Sequence, residues 1–125
     1  MSEKVYTSNA PDAIGPYSQA VRSGGFVFTS GQIGINPKSG KVEGETIEEQ
    51  TEQVCKNIAA VLEASDSHIS RTVKTVCFLA DMNDFAAFNA VYGKYFTSKP
   101  ARSCVAVKTL PKNVLVEVEA IAEIK

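Results

Sequence analysis

The stretch that decides the fold is VLVEVEAIAEI, residues 114–124. Apolar residues occupy every second position, and a β-strand places every second side chain on the same face. One face is therefore uniformly apolar and suited to packing beneath helices, whereas the other carries glutamates beside two larger apolar residues. The first face comprises Val114, Val116, Val118, Ala120, Ala122 and Ile124, and the second comprises Leu115, Glu117, Glu119, Ile121 and Glu123.

Two helices are predicted upstream to cover the apolar face. Thr46 and Glu49 have the spacing of a capping box, in which each side chain accepts a backbone N–H at the helix start. One apolar stripe then recurs at helical spacing until Ser65, and Asp81 offers N-cap chemistry for a second helix with an aromatic face. The stripe is Ile47, Thr51, Val54, Cys55, Ile58, Val61 and Leu62, and the aromatic face is Phe85, Phe88, Tyr92, Tyr95 and Phe96.

Strands are predicted on either side of these helices, because the remaining apolar segments are short and rich in β-branched residues. Their order predicts an α+β fold in which two helices lie on one face of a mainly antiparallel or mixed sheet. A chain of 125 residues is expected to form a single domain, residues 1–125. The predicted strands cover residues 20–21, 26–29, 72–80, 102–109 and 114–124.

The segment PARSCVAV, residues 100–107, places Arg102 and Cys104 on one face of its strand. If residues 110–113 form a tight turn, this strand pairs with the last one and brings Cys104 roughly opposite Glu119, with Glu117 diagonal to it. All of these side chains would then lie on the face away from the helices. Because Leu115 and Ile121 share that face, a partner subunit is expected to cover it.

The residues alone leave the roles of this cluster open. Arg102 fits either a cross-strand ion pair with a glutamate or a binding site for an anion. Cys104 fits a small buried residue better than a nucleophile. Asn89 could simply cap or bridge backbone groups, and Tyr17 could simply pack. The lone histidine, His68, lies in a polar segment and is expected to be a solvated loop residue.

Composition argues against several classes of function. Thirteen basic and fourteen acidic residues give a net charge of −1, so a nucleic-acid partner is not expected. One histidine and three scattered cysteines predict no metal site, and no motif for a nucleotide or a covalent cofactor is present, so no cofactor is expected. Without a signal-like or membrane-spanning apolar run, the chain is expected to be cytoplasmic with reduced thiols, and an organelle reached without a cleaved peptide stays open as an alternative.

Several motifs, in order, resemble the RidA/YjgF family of reactive-intermediate deaminases. The similarity extends from about residue 8 to the C-terminus without a large gap. It includes AIGPYSQA at 13–20, TSGQI at 29–33, KTVCF at 74–78, MNDF at 82–85, PARSCV at 100–105, LP at 110–111 and VEVEAIA at 116–122.

The resemblance implies a chorismate-mutase-like fold and a homotrimer whose sheets form a central barrel with pockets between subunits. It implies hydrolysis of enamine and imine intermediates of the 2-aminoacrylate type to 2-keto acids and ammonia. Arg102 resembles the arginine that binds the substrate carboxylate, and Glu117 the glutamate that activates water. Cys104 resembles a pocket cysteine, and Tyr17 a tyrosine that reaches in from a neighbouring subunit. Ser30, Gly31 and Asn89 also fall where the family lines its pocket.

Residues 96–100 (FTSKP) are fewer than in many relatives, so the pocket rim and the substrate preference are expected to differ there. Two rival functions stay open on the sequence. One is an endoribonuclease that inhibits translation, a label that some family members carry. The other is a module that binds carboxylates, or acts like a chaperone, without catalysis.

Overall fold

The structure, a computed structural model, describes residues 2–125. These residues form eight strands and two α-helices. The helices are α1 (Ile47–Ala64) and α2 (Phe85–Tyr95), and short 3-10 turns lie at Ile69–Arg71, Met82–Asp84 and Pro111–Asn113. The strands are β1 (Glu3–Val5), β2 (Ala20–Ser23), β3 (Phe26–Thr29), β4 (Ile35–Asn36), β5 (Lys41–Val42), β6 (Thr72–Leu79), β7 (Ala101–Ala106) and β8 (Val116–Glu123).

Six of the strands form one mixed sheet in the order β1-β2-β3-β8-β6-β7, and β4 and β5 form a separate hairpin. All neighbours in the large sheet are antiparallel except β6 and β7, which are parallel. Parallel neighbours need a long crossover, and α2 supplies it. The predicted α+β fold, with a mixed sheet and two helices on one face, is confirmed. Strands β1, β4 and β5 were not predicted.

The core lies between the helices and the apolar face of β8. Val116, Val118, Ala120 and Ala122 are buried on β8, while the glutamates and Ile121 on its other face stay partly exposed. Every residue of the predicted α1 stripe is buried. Each large aliphatic side chain buried in this way contributes about 1.5–3 kcal/mol. The period-two pattern of residues 114–124 therefore decides which side of the sheet the helices cover.

Helix α1 begins as its sequence predicts. The Glu49 N–H donates to Thr46 Oγ1 at 3.1 Å, and Glu49 Oε1 accepts the Thr46 N–H at 3.1 Å, which completes the capping box. The helix ends at Ser65, whose hydroxyl donates to Val61 O at 2.7 Å. These local contacts fix where α1 begins and ends.

The predicted pairing of the last two strands is wrong. Strand β8 lies between β3 and β6, and β7 joins the far side of β6 as the edge strand. The physical reason is that β8, buried on one whole face, needs a central place, whereas the shorter and mostly exposed β7 can stay at the edge. The connection is not a tight turn. It crosses the end of β6 through residues 107–115, with Lys112 and Asn113 both at positive φ.

The placement of Arg102 and Cys104 on the helix-free face is also wrong. In the parallel register, Arg102 pairs with Thr75 and Cys104 with Cys77. Thr75 and Cys77 are buried beneath the helices, so Arg102 and Cys104 share the helical side of the sheet. The predicted alternation holds from Ala101 to Val105, where the odd-numbered residues are exposed and Arg102 and Cys104 are partly buried, and it ends at Ala106, which is also exposed.

Candidate functional site

A cleft of about 890 Å³ opens over the helix-free face at the start of β8. Its walls come from the N-terminal segment, the residues that follow β3, the β4–β5 region and the loop before β8. The polar residues along it include Ser8, Asp12, Tyr17, Gln19, Ser30, Gln32, Lys112, Glu117 and Glu119.

Glu117 projects into this cleft against the backbone of Gly31. The backbones of Gln32 and Val118 exchange two hydrogen bonds, with Gln32 N donating to Val118 O at 2.8 Å and Val118 N donating to Gln32 O at 3.1 Å. This bridge brings Gly31 so close to Glu117 that a Cβ at residue 31 would overlap the carboxylate. A glycine is therefore required there for the carboxylate to lie as it does.

The pKa of Glu117 is raised, chiefly because burial removes water from the carboxylate and secondly because Glu119 repels its charge. Glu119 lies two residues away on the same face of β8. A carboxyl group whose pKa moves toward neutrality can both accept and return a proton during a reaction. The cleft thus holds a group suited to acid–base chemistry on water.

Ser30 and Tyr17 line the same cleft. The Ser30 hydroxyl donates to Ser18 O at 2.6 Å, and its N–H donates to Gln19 O at 2.9 Å. These two bonds fasten the end of the N-terminal segment to the end of β3. Tyr17 follows a tight turn in which its N–H donates to Gly15 O at 2.8 Å, and its side chain is 51% exposed. The Tyr17 ring is therefore free to contact a molecule outside its own chain.

Arg102 belongs to a second cluster, on the other side of the sheet. Its Nη1 donates to Asn89 Oδ1 at 2.7 Å, and the guanidinium lies 4.9 Å from the ring centroid of Tyr92 and 5.3 Å from that of Phe85. Residues 85, 89 and 92 face β7 together because side chains three, four and seven positions apart share one side of a helix. The Tyr92 hydroxyl is fixed in turn by a 2.7 Å hydrogen bond with Thr75.

This cluster is neutral apart from the guanidinium. Among residues 2–125 the one salt bridge joins Arg22 and Asp66, so Arg102 pairs with no carboxylate of its own chain. The ion pair with Glu117 or Glu119 considered from the sequence is therefore wrong, since these residues lie on opposite faces of the sheet. Rings and an amide hold the guanidinium in place, and its charge remains available to an anion.

Cys104 lies beside Arg102, half-buried against the core. Burial raises the pKa of its thiol, and the positive charge of Arg102 offsets this only in part. Its neighbour Cys77 is buried more deeply, and burial raises the pKa of that thiol to about 12. Because the thiolate is the nucleophilic form, both groups are poor nucleophiles near neutral pH.

The predicted site residues thus fall into two groups. Tyr17, Ser30, Gly31 and Glu117 meet at the cleft, whereas Asn89, Arg102 and Cys104 meet beneath α2. One chain does not bring the two groups together, contrary to the single neighbourhood expected from the sequence. Sequence reasoning also missed Gln19, which lies within the quoted AIGPYSQA motif, and the packing of Phe85 and Tyr92 on Arg102, which the helical spacing could have indicated.

Two other expectations concern the remaining residues. His68 is exposed, and its Nδ1 accepts the Ser70 N–H at 3.1 Å at the start of a 3-10 turn, which confirms a loop position. Within residues 2–125, no group of three or more histidine, cysteine or acidic side chains is arranged to hold a metal ion. No helix in that range is both long and apolar enough to cross a membrane.

The fold and these clusters define a class of small α+β proteins with a glutamate in a cleft and an arginine held by aromatic rings. A sequence model described as endoribonuclease L-PSP matches residues 7–124. The chain belongs to this family, also called the YjgF/RutC/RidA family.

Individual relatives are similar over nearly the whole chain. A RutC family protein of Pyrococcus horikoshii is 52% identical over 98% of both chains. The 2-iminobutanoate/2-iminopropanoate deaminase of Escherichia coli is 48% identical, again over 98% of both. The crystal structure of Escherichia coli TdcF with bound serine superposes with a TM-score of 0.93, at 39% identity, over 98% of this chain and 99% of that one.

Proposed function

We propose that this protein hydrolyses enamine and imine intermediates of the 2-aminoacrylate type to 2-keto acids and ammonia. The observation that carries the proposal is the pair of clusters: a guanidinium without an acidic partner, and a glutamate of raised pKa in a cleft. An α-imino acid presents the two groups that such residues act on, a carboxylate and a carbon open to attack by water. A relative named 2-iminobutanoate/2-iminopropanoate deaminase supports the assignment.

Arg102 binds the substrate carboxylate in this proposal. The planar guanidinium matches a carboxylate with two parallel N–H···O bonds, and a charge-assisted bond of this kind contributes about 1.5–3 kcal/mol. Asn89 occupies one edge of the group and Tyr92 one face, so the guanidinium is already oriented before the substrate arrives. The cost of ordering a flexible side chain is thereby reduced.

Glu117 activates water. After the enamine tautomerises to the imine, the Glu117 carboxylate accepts a proton from water as the water oxygen attacks the imine carbon. The product is a carbinolamine, and the proton held by Glu117 returns to its nitrogen. Glu117, ionised again, then carries the hydroxyl proton of the carbinolamine to the nitrogen as the carbon–nitrogen bond breaks, so that ammonia leaves and the carbonyl of the 2-keto acid forms. No covalent bond to the protein is needed, which agrees with the raised pKa of the Cys104 thiol.

The two clusters act together if different subunits supply them, as in a homotrimer. The helix-free face of the sheet exposes Phe28 at 43% and Val105 at 47%, and Ile121 lies beside Phe28 in the register. A face of this kind is suited to burial against a second copy. In the proposed trimer, Tyr17 and the Glu117 cleft of one subunit face the Arg102 cluster of the next, which completes the site.

The proposal is tested with a coupled assay. A pyridoxal-phosphate-dependent serine dehydratase generates 2-aminoacrylate, and pyruvate formation is followed with and without the purified protein. The protein should increase the rate at which the intermediate is converted. A rate equal to spontaneous hydrolysis, together with measurable pyruvate binding, would instead support a carboxylate-binding module without catalysis.

The family name also raises ribonuclease activity as a rival function. A net charge of −1 gives the chain little overall attraction for a polyanion. Incubation of the same preparation with a labelled RNA decides the matter. Cleavage that survives repeated purification and disappears in a cleft variant such as Glu117→Gln would support the rival.

A further inference from the structure

The wall of the cleft formed by the N-terminal segment has little support from regular structure. Strand β1 ends at Val5 and β2 begins at Ala20, and no strand or helix lies between them. Yet this stretch supplies much of the cleft lining, including Ser8, Asp12 and Tyr17. Something other than a sheet or a helix must therefore hold it over Glu117.

The side chain of Gln19 provides that support. Its Oε1 accepts the Thr7 N–H at 2.7 Å. Its Nε2 donates to Thr7 O at 3.0 Å, to Pro11 O at 2.8 Å and, more weakly, to Ala10 O at 3.3 Å. The residue is only 2% exposed, so these bonds form away from competing water.

Other polar contacts of the segment stay within it. The Tyr6 hydroxyl donates to Asp12 Oδ1 at 3.2 Å, and the Asn9 N–H donates to Thr7 Oγ1 at 3.1 Å. Among the described hydrogen bonds that link residues 7–17 to later parts of the chain, every one goes to the Gln19 amide. The Gln19 side chain is thus the polar attachment of residues 7–17, while the two Ser30 bonds hold only the end of the segment at residues 18 and 19.

We propose that Gln19 is a positioning residue for the reaction: its buried amide fixes residues 7–12 as a wall of the cleft and sets the place of Tyr17, two residues before it. The inference rests on the proposed imine hydrolysis for its catalytic meaning. Gln19 itself touches no reacting atom. Without its amide, the wall separates from the Glu117 carboxylate and substrate binding in the cleft weakens.

The informative variant is Gln19→Glu, which keeps the shape but replaces the donor group. Ionised, the introduced carboxylate faces three carbonyl oxygens and repels them, so burial and these oxygens hold its pKa above the ordinary glutamate value. Protonated, it regains one O–H donor and one acceptor. The loss of kcat/KM and of protection from amide exchange should therefore be largest at high pH and partly reversed at low pH.

A matched control is Gln50→Glu. Gln50 is also buried, its Nε2 donates to Gly44 O at 3.1 Å, and its Oε1 accepts the Leu115 N–H at 2.8 Å. It is not among the residues that line the cleft. If a carboxylate is harmful in any buried amide site, whatever its place in the fold, its effect should appear in both variants.

Two measurements decide the matter: amide hydrogen exchange in residues 7–18, and steady-state kinetics from pH 6 to pH 9, each relative to wild type. For Gln19→Glu we expect faster exchange in that segment and, at pH 8, a kcat/KM about tenfold lower, mostly through a higher KM. The difference in kcat/KM between this variant and wild type should become smaller as the pH falls to 6.

Unchanged exchange in residues 7–18, a deficit independent of pH, or equal effects in Gln50→Glu would overturn the inference. Exchange is measured without any substrate. If wild type fails to accelerate imine hydrolysis, the proposed function is lost, while the exchange data still decide whether Gln19 holds the wall.

Discussion

The arginine cluster and the glutamate cleft are built in opposite ways. Arg102 lies on an edge strand, on the helical side of the sheet, and only neutral groups hold it. Glu117 lies on a central strand, on the helix-free side, beside another carboxylate. The arginine charge is permanent, since a guanidinium does not lose its proton in proteins. The glutamate charge is lost on protonation, and burial together with the charge of Glu119 raises the pKa at which this happens.

In the proposed reaction, this difference assigns substrate binding to the arginine and proton transfer to the glutamate. A fixed cation suits a carboxylate that must stay bound through every step of a reaction. A titratable group suits a proton that must leave and return. Changes to the two regions should therefore affect different kinetic constants and different parts of the pH profile, and the following experiments test that separation.

The largest effect is expected from Glu117→Gln, which removes the proton acceptor while keeping the shape of the side chain. General-base catalysis contributes about 10²–10⁴-fold, so kcat for imine hydrolysis should fall by that order. Pyruvate affinity, measured by calorimetry, should stay within about threefold of wild type, because the proposed binding group for the carboxylate is Arg102. Equal losses in kcat and in affinity would contradict the assignment of water activation to Glu117.

A loss of about 10–150-fold in kcat/KM is expected for Arg102→Ala, which corresponds to the loss of one charge-assisted interaction. Pyruvate affinity should fall by a similar factor. Arg102→Lys is the matched control, because it keeps the charge but cannot make the planar two-point contact. A lysine variant as active as wild type would show that the positive charge alone, without the planar two-point contact of the guanidinium, is sufficient.

The same two variants test whether the clusters meet between subunits. The weakened Glu117→Gln and Arg102→Ala chains, refolded together in equal amounts, should regain about a quarter of the wild-type rate in a trimer with random mixing. Each regained site combines the intact glutamate of one chain with the intact arginine of its neighbour. If both groups act within one chain, mixing restores nothing.

Much of the fold could be predicted because its signals are local. The alternation in residues 114–124, the stripe of α1 and its capping box depend on neighbours in sequence, and the structure confirms all three. Strand order is not local. Nothing between residues 102 and 116 indicates that β7 prefers β6 to β8, because that choice depends on how completely each strand is buried in the finished sheet.

The candidate site also depends on contacts that are distant in sequence, and these could not be predicted. Residue types and family motifs identified Arg102 and Glu117, but the wrong strand pairing placed them on one face. Gln19 escaped notice because its importance lies in four hydrogen bonds to a segment about ten residues earlier, and no periodic pattern marks such contacts. Irregular segments are predictable from sequence only where a turn motif is present.

A smaller effect is expected from Glu119→Gln, which tests why the pKa of Glu117 is raised. Removing the neighbouring charge should lower the Glu117 pKa, although burial, the larger cause, remains. Because the base works only when ionised, the acidic limb of the kcat profile should move to lower pH, while the plateau stays unchanged. Glu123→Gln, an exposed change on the same strand, is the control and should leave the limb in place. A shift to higher pH would contradict the repulsion.

The smallest effect is expected from Cys104→Ser, which addresses the neighbour of Arg102 rather than Arg102 itself. Since burial raises the pKa of this thiol and hydrolysis needs no covalent step, kcat/KM should change by no more than about threefold, the range of a modest packing change. Iodoacetamide should modify wild type slowly at neutral pH and faster as the pH rises toward the thiol pKa. A loss as large as that of Arg102→Ala, or rapid alkylation at pH 7, would make the thiol a participant and end the division between a binding cluster and a chemical one.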